Sequence, residues 1–303
     1  MKILITGSSG LVGSACVDLF TKEGWEVVGI DNDMRSHFFN TPRKHPTLNF
    51  DIRDQEAMNS LFAMHKFDAV IHAAAQPSHD YAADNVLEDF MVNTLGTLHL
   101  LEATKTYCPN AVFVYVSTDK VYGENMNGYK LSDEKLGLDF AGKRSLFGCS
   151  KTAADIYVQE YRNYYGMTTV CFRPGCITGA NHEGAEQHGF LAYVAKCCRE
   201  KIPYKIFGDG TAVRDQIHAN DLAEAFLAYI KNPKGDVYNI GGGPDRAISV
   251  LGALTAFGGT EYSLHDKRKG DRDYDVHDIS LFHRDYPGWD YKYSLSDIIN
   301  DLR

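Results

Sequence analysis

Apolar runs and amphipathic stretches alternate along the first 173 residues of the chain. Each apolar run has the length of a buried strand, and each amphipathic stretch has the spacing of a helix with one apolar face. The predicted strands are 2–6, 25–30, 48–52, 69–72, 112–116 and 168–172; the predicted helices are one that ends at about Glu23, then 55–66, 84–107 and 145–165. Because the strands are almost uniformly apolar, the pattern predicts a parallel sheet with helices on both faces, a doubly wound α/β fold.

The alternation becomes less regular after residue 173. Helices are predicted at 189–200 and 220–231, a short strand at 237–240, and a polar, charged tail from 261 that has helical spacing only at 295–302. We therefore expect a main domain over residues 1–173 and a smaller lobe over residues 174–303. The strand at 237–240 is expected to return to the main sheet.

A glycine-rich turn joins the first predicted strand to the first helix. Gly7, Gly10 and Gly13 have G-x-x-G-x-x-G spacing, and Asp31 ends the second strand. Glycines let the backbone approach a pyrophosphate, which then binds the unpaired N–H groups at the helix N-terminus. A carboxylate after the second strand can accept hydrogen bonds from the adenosine ribose. A glycine turn alone often serves packing, but strand, turn, helix and acid together predict a Rossmann-like dinucleotide site.

Composition narrows the classes of partner. The chain has 303 residues, 44% of them hydrophobic, a formal net charge of −9, a pI near 5.7 and no cluster of Lys and Arg. This balance argues against nucleic acid or an anionic membrane surface as the main partner. No apolar run approaches the ~18 residues of a membrane span, and we expect no targeting segment. The seven cysteines lack metal-ligand spacing and fit buried thiols in the cytoplasm, so no metal is expected.

Several stretches match a known family in order along the chain. The chain resembles the extended short-chain dehydrogenase/reductase group of NAD-dependent nucleotide-sugar epimerases and dehydratases. On the cofactor side the matching stretches are GSSGLVG at 7–13, Asp51-Ile52, HAAA at 72–75 and Asn93. The resemblance implies that NAD is bound by Gly7, Ser9, Gly10, Leu11, Val12, Gly13, Asp31, Asn32, Asp51, Ile52, Ala73, Ala74, Ala75, Asn93, Ser117, Lys151 and Pro174. Asp31 would repel the 2′-phosphate of NADP, whereas Arg35 leaves NADP open.

Later stretches resemble the family's substrate side: STDKVYG at 117–123, RPG at 173–175, RDQIH at 214–218, YNIG at 238–241 and RKGD at 268–271. By resemblance, Thr118 hydrogen-bonds the sugar hydroxyl that is oxidised, and Arg214 grips the nucleotide diphosphate. The implied substrate-binding residues are Thr118, Asp119, Lys120, Cys176, Asn181, His188, Gly189, Phe190, Arg214, Arg268 and Asp271. The pattern is most similar to the CDP-tyvelose (CDP-paratose) 2-epimerases. Dehydratases of this group usually carry an acidic pair where Asp119 is followed here by Lys120.

The catalytic helix departs from the family pattern at Phe147. The family carries Tyr-x-x-x-Lys, with a phenol that exchanges the substrate proton and a lysine that lowers the phenol pKa. Here Lys151 is present, but Phe147 replaces the tyrosine. Three explanations remain open. The tyrosine was replaced by engineering; the proton moves through Asp119, a bound water, Cys149 or Cys176; or the protein binds a nucleotide sugar without turnover.

The resemblance therefore implies an NAD-dependent nucleotide-sugar epimerase that oxidises one hydroxyl and reduces the opposite face, with Thr118, Asp119, Phe147 and Lys151 as the catalytic positions. A UDP- or GDP-sugar 4-epimerase, or another nucleotide-sugar oxidoreductase, is the alternative within enzymes. A nucleotide-sugar-binding protein is the alternative of another class. The helices at 84–107 and 145–165 are the pair that this family uses for dimerisation, so the resemblance also implies a homodimer.

Overall fold

The computed structural model describes residues 1–34, 45–124, 138, 142–180, 182, 184, 189–268 and 271–303. In chain order its strands are β1 (Lys2–Thr6), β2 (Glu26–Asp31), β3 (Leu48–Asn49), β4 (Ala69–His72), β5 (Val112–Val116), β6 (Thr169–Pro174), β7 (Cys176–Thr178), β8 (Tyr204–Phe207), β9 (Val213–His218), β10 (Val237–Ile240), β11 (Ala247–Ser249), β12 (Tyr262–His265) and β13 (Tyr274–Asp275). Seven of them form a parallel sheet in the order β10-β6-β5-β4-β1-β2-β3. This order confirms the predicted doubly wound α/β fold.

Helices cover both faces of the parallel sheet. They are α1 (Leu11–Lys22), α2 (Gln55–Met64), α3 (His79–Asp84), α4 (Val86–Phe90), α5 (Gly96–Tyr107), α6 (Leu146–Tyr165), α7 (Phe190–Glu200), α8 (Ala219–Lys231), α9 (Val250–Ala256), α10 (Ser280–Asp285) and α11 (Leu295–Asp301). Side chains of β1 point alternately to the two faces. Ile3 and Ile5 pack with α1 and α8, whereas Leu4 packs with α2, α5 and α6. The sheet is thus apolar on both sides, as its uniform hydrophobicity predicts.

The helix predicted over 84–107 is confirmed from Val86 onward, but it contains a π-helical turn and is separated from the preceding helix. The chain forms α3 and α4 with a break at Asn85, then a π-helical turn over Met91–Leu95, and then α5. Asn85 leaves the helical region at φ −132°, and its side-chain amide donates to the Tyr81 carbonyl at 3.2 Å. Asparagine competes with helical hydrogen bonding in this way. The strand predicted at 48–52 is also shorter, because Asp51 accepts the Arg53 N–H in a turn.

The later part of the chain contains more regular structure than its sequence pattern predicts. Short strands β11, β9 and β13 form a second sheet, which β7 joins through β9, and β8 pairs with β12. Helices α7, α9 and α11 share a separate hydrophobic core that includes Leu191, Leu254 and Ile298. Strand β10 lies in the main sheet beside β6. The division of the chain at residue 173 stays a prediction.

In the part of the chain that is described, no helix combines the length and the apolar character needed to cross a membrane.

Candidate active site

Close backbone contacts require glycine in the turn between β1 and α1. Gly7 has φ of 67°, in the left-handed region, and a Cβ there would lie 2.7 Å from the Ala74 nitrogen. A Cβ on Gly13 would lie 2.0 Å from the carbonyl oxygen of Gly7. Both distances are shorter than a non-bonded contact allows, so a side chain would displace the backbone. The turn is therefore shaped by the absence of side chains.

The start of α1 fits the pyrophosphate of a dinucleotide. Gly10 precedes the helix and gives it no side-chain cap, and the N–H groups of Leu11, Val12 and Gly13 belong to the turn that has no intrahelical acceptors. Ser9 Oγ is buried and has no hydrogen-bond partner among the described residues. An anion at this position would accept hydrogen bonds from the helix N–H groups and from the Ser9 hydroxyl.

Asp31 lies where the dinucleotide interpretation requires a carboxylate. It ends β2, next to the turn that follows β1, and accepts the Ser9 N–H at 3.1 Å and the Asp33 N–H at 2.8 Å. These two bonds fix the carboxylate at the carboxyl edge of the sheet. The neighbouring Asn32 donates through its side chain to Asp51 Oδ2 at 3.0 Å, which links the ends of β2 and β3.

Asp51 and Ile52, which by resemblance contact the adenine of NAD, have partners within the protein. The guanidinium of Arg53 donates to both carboxylate oxygens of Asp51, at 2.6 to 3.1 Å. Burial raises the pKa of Asp51, but hydrogen bonds from Arg53 and Asn32 lower it by more, so that the pKa is about 2. Ile52 is buried against Gly96, where a Cβ would lie 2.7 Å from its side chain. Contact of these residues with adenine stays a prediction.

The run Ala73 to Ala75 follows β4 at the same edge as the glycine turn. The Ala74 N–H donates to Thr6 Oγ1 at 3.1 Å. His72, just before it, is buried and is bonded by Thr6 and Thr97 through its two ring nitrogens, at 2.8 and 2.9 Å. Burial, and next the charge of Lys151, lowers the pKa of His72 well below its ordinary value. His72 is therefore a neutral core imidazole.

Asn93 joins this segment to the catalytic helix. Its side chain accepts the Gln76 N–H at 2.9 Å and donates to the Gln76 carbonyl, to Asp89 and to Ser150. The π-helical turn adds a residue per turn at Asn93 and so changes which way its neighbours face. Asn93 is fully buried, so its observed contacts hold the segment after β4 against α6.

Lys151 reaches the carboxyl end of β5 from one turn inside α6. Its Nζ donates to the Val116 carbonyl at 2.7 Å and lies 4.2 Å from the centre of the Tyr115 ring. Burial lowers the pKa of Lys151 to about 7, although Asp155 acts in the opposite direction. Phe147 lies on the same helical face and is buried. The structure thus has the lysine geometry of the family pattern with a benzene ring in place of the phenol.

Ser117 directly follows β5 and Pro174 ends the neighbouring strand β6, and both residues are buried. The Ser117 hydroxyl donates to Asp155 at 2.6 Å, and the same carboxylate binds Arg173 at 2.7 and 3.0 Å. Arg173 also donates to the Tyr122 hydroxyl at 2.9 Å. This buried network supports the turn from Ser117 to Tyr122. The Ser117 N–H also donates to the Phe172 carbonyl at 2.8 Å, and Pro174 is buried, so contact of either residue with a cofactor stays a prediction.

A buried charge cluster lies on the substrate side. We define it as Asp119, Lys120, Arg214, Arg272 and Asp275. Lys120 Nζ lies 3.0 Å from Asp119 and 2.7 Å from Asp275, and Arg272 forms ion pairs with both carboxylates. Burial raises the pKa of Asp119, but Lys120 and Arg272 lower it by more, despite the neighbouring Asp275. Asp119 is therefore held ionised, which argues against its suggested role as a proton shuttle. Thr118 precedes the cluster and bonds the Lys120 N–H at 3.3 Å.

Arg214, which by resemblance grips the diphosphate, and Arg268, which by resemblance binds the substrate, make long ion pairs. Arg214 lies 3.6 Å from both Asp271 and Asp275. Arg268 lies 3.6 Å from Asp80 and stacks over the ring of Phe207 at 3.9 Å. Both cations thus face carboxylates at distances longer than a direct hydrogen bond.

Of the other predicted substrate-binding residues, the structure describes Cys176, Gly189 and Phe190. Burial raises the pKa of Cys176 to about 12, so its thiol stays protonated and is a weak candidate for a base. Gly189 has φ of 84° and precedes α7, which starts at Phe190. Asn181 and His188 lie outside the described residues. Cys149 is exposed on α6.

The sequence analysis missed Arg272, Asp275, Asp155 and His79. Arg272 directly follows the matched RKGD stretch, and Asp155 lies one turn beyond Lys151, so both could have been proposed from their position next to matched residues. His79 follows the matched run at 72–75, at the edge of the sheet where ligands bind in this fold. Pairing of residues about 150 positions apart, as in Arg272 with Asp119, has no local sequence pattern.

The glycine turn, the carboxylate that ends β2 and the lysine of α6 that reaches the end of β5 define an α/β enzyme that uses a dinucleotide. A model of the NAD dependent epimerase/dehydratase family matches residues 3–241. The chain belongs to this family, and NAD is its cofactor.

Individual relatives agree with that family. The chain is 31% identical over 282 residues to a CDP-paratose 2-epimerase of Salmonella typhi, covering 83% of this chain and 82% of the relative. It is 27% identical to a putative UDP-glucose 4-epimerase of Methanocaldococcus jannaschii over 99% of this chain and 98% of that one. Among solved structures, the UDP-glucose 4-epimerase of Thermotoga maritima with UDP-glucose has a TM-score of 0.86 at 27% identity and covers 100% of this chain and 97% of its own.

Proposed function

We propose that this protein is an NAD-dependent epimerase of nucleotide-diphosphate hexoses, most similar in substrate to the CDP-linked 2-epimerases. The observation that carries the proposal is that Lys151 binds Val116 at the end of β5, and that the chain then passes through Thr118 directly into the charge cluster. A cofactor site and a substrate site therefore share one edge of the sheet. Bound at this edge, NAD would supply the hydride acceptor and donor that inversion at a sugar carbon requires.

The cofactor-side residues have separate tasks in this proposal. The N–H groups of Leu11, Val12 and Gly13, with Ser9, bind the pyrophosphate, and Asp31 binds the adenosine ribose. Lys151 donates to the nicotinamide ribose in place of the Val116 carbonyl. The remaining proposed contacts come from the edges of the site, namely Gly7, Gly10, Asn32, Asp51, Ile52, Ala73, Ala74, Ala75, Asn93, Ser117 and Pro174.

The substrate-side residues are suited to a diphosphate. Among the described residues, the carboxylates that face Arg214 and Arg268 lie 3.6 Å away, so a phosphate that accepts two parallel hydrogen bonds can replace those partners. The chain has a net charge of −9, and local guanidinium groups must therefore supply the attraction. Thr118 binds the reacting hydroxyl, and Asp271, Gly189, Phe190, Lys120 and Cys176 surround the nucleotide and sugar.

The base of the nucleotide is proposed from the relatives. The Salmonella typhi relative named for CDP-paratose is 31% identical to this chain, whereas the relatives named for UDP-glucose reach similar or lower identity. We favour cytidine for this reason. A uridine-linked 4-epimerase is the second candidate, because the Thermotoga maritima structure with UDP-glucose has a TM-score of 0.86.

Turnover of a panel of CDP-, UDP- and GDP-hexoses, followed by NMR, tests the proposal. The assay compares the protein with Phe147→Tyr, in which the phenol is restored, and with Phe257→Tyr, a control at the end of α9 in the smaller lobe. We expect epimerisation of a CDP-hexose without net release of NADH, and no effect of the control. Epimerisation of a UDP- or GDP-hexose instead would replace the cytidine assignment. Nucleotide-sugar affinity without turnover by either chain would indicate a binding protein.

We propose that the protein is a homodimer that pairs through α4 and α6. Large apolar side chains are exposed there, with Leu87 at 79%, Phe90 at 48%, Tyr157 at 46% and Tyr164 at 81% exposed area. Apolar side chains on adjacent helices favour a protein interface. Sedimentation at micromolar concentration is expected to show a dimer that Leu87→Glu weakens. Met64→Glu, at an apolar position exposed by 70% on α2, serves as the control, and a monomeric parent protein would contradict this proposal.

The state of the cysteines supports a reducing compartment such as the cytoplasm. All seven are free thiols, and five of them are buried. Thiols persist where glutathione and thioredoxin keep them reduced. Recovery of the protein in the cytoplasmic fraction, with seven titratable thiols after unfolding, is the expected result.

A further inference from the structure

An imidazole packs against the ring that replaces the family tyrosine. The centres of the His79 and Phe147 rings are 4.9 Å apart, at an interplanar angle of 57°. Phe147 is 7% exposed and His79 is half-buried. Phe147 shares its helical face with Lys151, so the imidazole borders the position where a phenol would act.

His79 also lies between the cofactor side and the substrate side. It begins α3, whose N-cap Ser78 accepts the Tyr81 N–H at 3.2 Å. Its neighbour Asp80 pairs with Arg268, one of the two arginines proposed for the diphosphate, at 3.6 Å. The N-terminus of α3 thus contacts α6 through His79 and the late substrate segment through Asp80.

The segment that carries His79 is fixed in place. Gln76 bonds Asn93 through its backbone N–H and carbonyl, at 2.9 and 3.0 Å, and its side chain donates to Asp89 at 2.9 Å. Ser78 N–H in turn donates to the Gln76 side chain at 2.5 Å. A group that exchanges a proton needs such support, because its geometry must persist through the reaction.

Two of the proton carriers suggested by the sequence, Asp119 and Cys176, are poorly suited. Asp119 is held ionised by Lys120 and Arg272 in the charge cluster. Cys176 keeps its thiol proton, because burial raises its pKa to about 12. Phe147 exchanges no proton. An imidazole ordinarily titrates near neutral pH and can both accept and return a proton there.

We infer that His79 is the acid–base group that takes the place of the absent phenol, an inference that rests on the proposed epimerase function. In the first half-reaction the sugar O–H bond breaks and its proton moves to the unprotonated imidazole nitrogen, directly or through one water. The electron pair of the adjacent C–H bond leaves as hydride to NAD, and a carbonyl forms. In the second half-reaction the hydride adds to the opposite face, and the imidazolium returns its proton to the oxygen.

A double-mutant cycle between His79→Gln and Phe147→Tyr tests this inference. Loss of a positioned acid–base group costs about 10²–10⁴-fold in rate. We expect His79→Gln to reduce turnover by that factor in the Phe147 protein and by less than about tenfold once Phe147→Tyr restores the phenol. The affinity for NAD and for the nucleotide diphosphate, measured by calorimetry, is expected to stay unchanged in all four proteins. His65→Gln is the control, because His65 ends α2 at the opposite end of the strands.

Each outcome separates the inference from the proposed function. If His79→Gln leaves turnover of the Phe147 protein unchanged, or lowers both backgrounds equally, His79 is not the acid–base group. If only Phe147→Tyr has activity, the epimerase proposal stands and the inference about His79 is wrong. If neither background converts any sugar of the panel although NAD binds, the epimerase proposal itself fails.

Discussion

The cofactor side of the candidate site is shaped by backbone, whereas the substrate side is shaped by ionised side chains. In the turn between β1 and α1, Gly7 and Gly13 approach other backbone atoms so closely that no Cβ fits. In the charge cluster, Lys120 and Arg272 each contact two buried carboxylates. The first arrangement depends on sterics and the second on charge balance, so the two sides should respond differently to substitution.

This difference also determines how much each side has to rearrange when its ligand binds. The glycine turn offers N–H groups that are fixed before the cofactor arrives, which lowers the entropy cost of binding. Arg214 is instead paired with Asp271 and Asp275 at 3.6 Å and has to exchange those partners for a phosphate. We therefore expect substrate binding to rearrange the late segment around residue 271 more than cofactor binding rearranges the turn.

The largest expected effect is on the charge cluster. Arg272→Met removes the cation that bonds Asp119 and Asp275, both of which are buried. Deleting one partner of a buried ion pair typically costs about 3–5 kcal/mol, and because Lys120 still contacts both carboxylates, at 3.0 and 2.7 Å, we expect a loss at the lower end of that range. Urea unfolding of the variant is expected to show a loss of that size. A loss below about 1 kcal/mol would mean that the cluster is hydrated or relaxes freely.

An exposed ion pair in the same segment provides the control. Lys267 pairs with Asp273, and the two side chains are 41% and 63% exposed. Exposed pairs contribute about 0–1 kcal/mol, so Lys267→Met should change the free energy of unfolding by no more than that. The contrast between the two substitutions isolates the effect of burial from that of losing a positive charge.

The next effect concerns the glycine turn. Gly13→Ala adds a Cβ 2.0 Å from the Gly7 carbonyl oxygen, which forces the pyrophosphate-binding turn to move. Overpacking of this kind costs about 1–3 kcal/mol, and we expect the loss to fall mainly on cofactor affinity, by ~100-fold in Kd for NAD. Calorimetric titration with NAD measures it. Gly288→Ala, which meets no atom within 4 Å, should leave Kd unchanged.

The same contrast explains what the sequence could predict. Gly7, Gly13 and Asp31 act through spacing along one strand, turn and helix, and the apolar strands specify the parallel sheet, so both followed from local patterns. The charge cluster joins Asp119 and Lys120 to Arg272 and Asp275, and His79 meets Phe147 across two elements. These contacts depend on tertiary folding. The π-helical turn at Asn93 likewise has no periodicity of its own.

Lys151 lies between the cofactor side and the substrate side. It is one of the proposed catalytic residues, and burying its charge lowers the free energy of unfolding. Burial lowers its pKa from 10.5 to about 7, so the folded protein binds fewer protons than the unfolded chain between these values. The free energy of unfolding therefore contains a contribution from Lys151 that rises with pH from about 7 to about 10. Below pH 7 the folded state bears the full cost of a buried ammonium group.

Lys151→Met tests that balance, because methionine fills a similar volume without charge. Discounting for the bond to Val116, we expect the variant to be about 1 kcal/mol more stable than the parent at pH 6.5 and to lose this advantage by pH 9.5, measured by urea unfolding. Turnover should fall by at least about 100-fold. Lys105→Met is the matched control, since Lys105 pairs with Glu102 at the surface and should lose at most about 1 kcal/mol at either pH. Destabilisation of Lys151→Met at pH 6.5 would show that its contacts with Val116 and Tyr115 outweigh the cost of burying the charge.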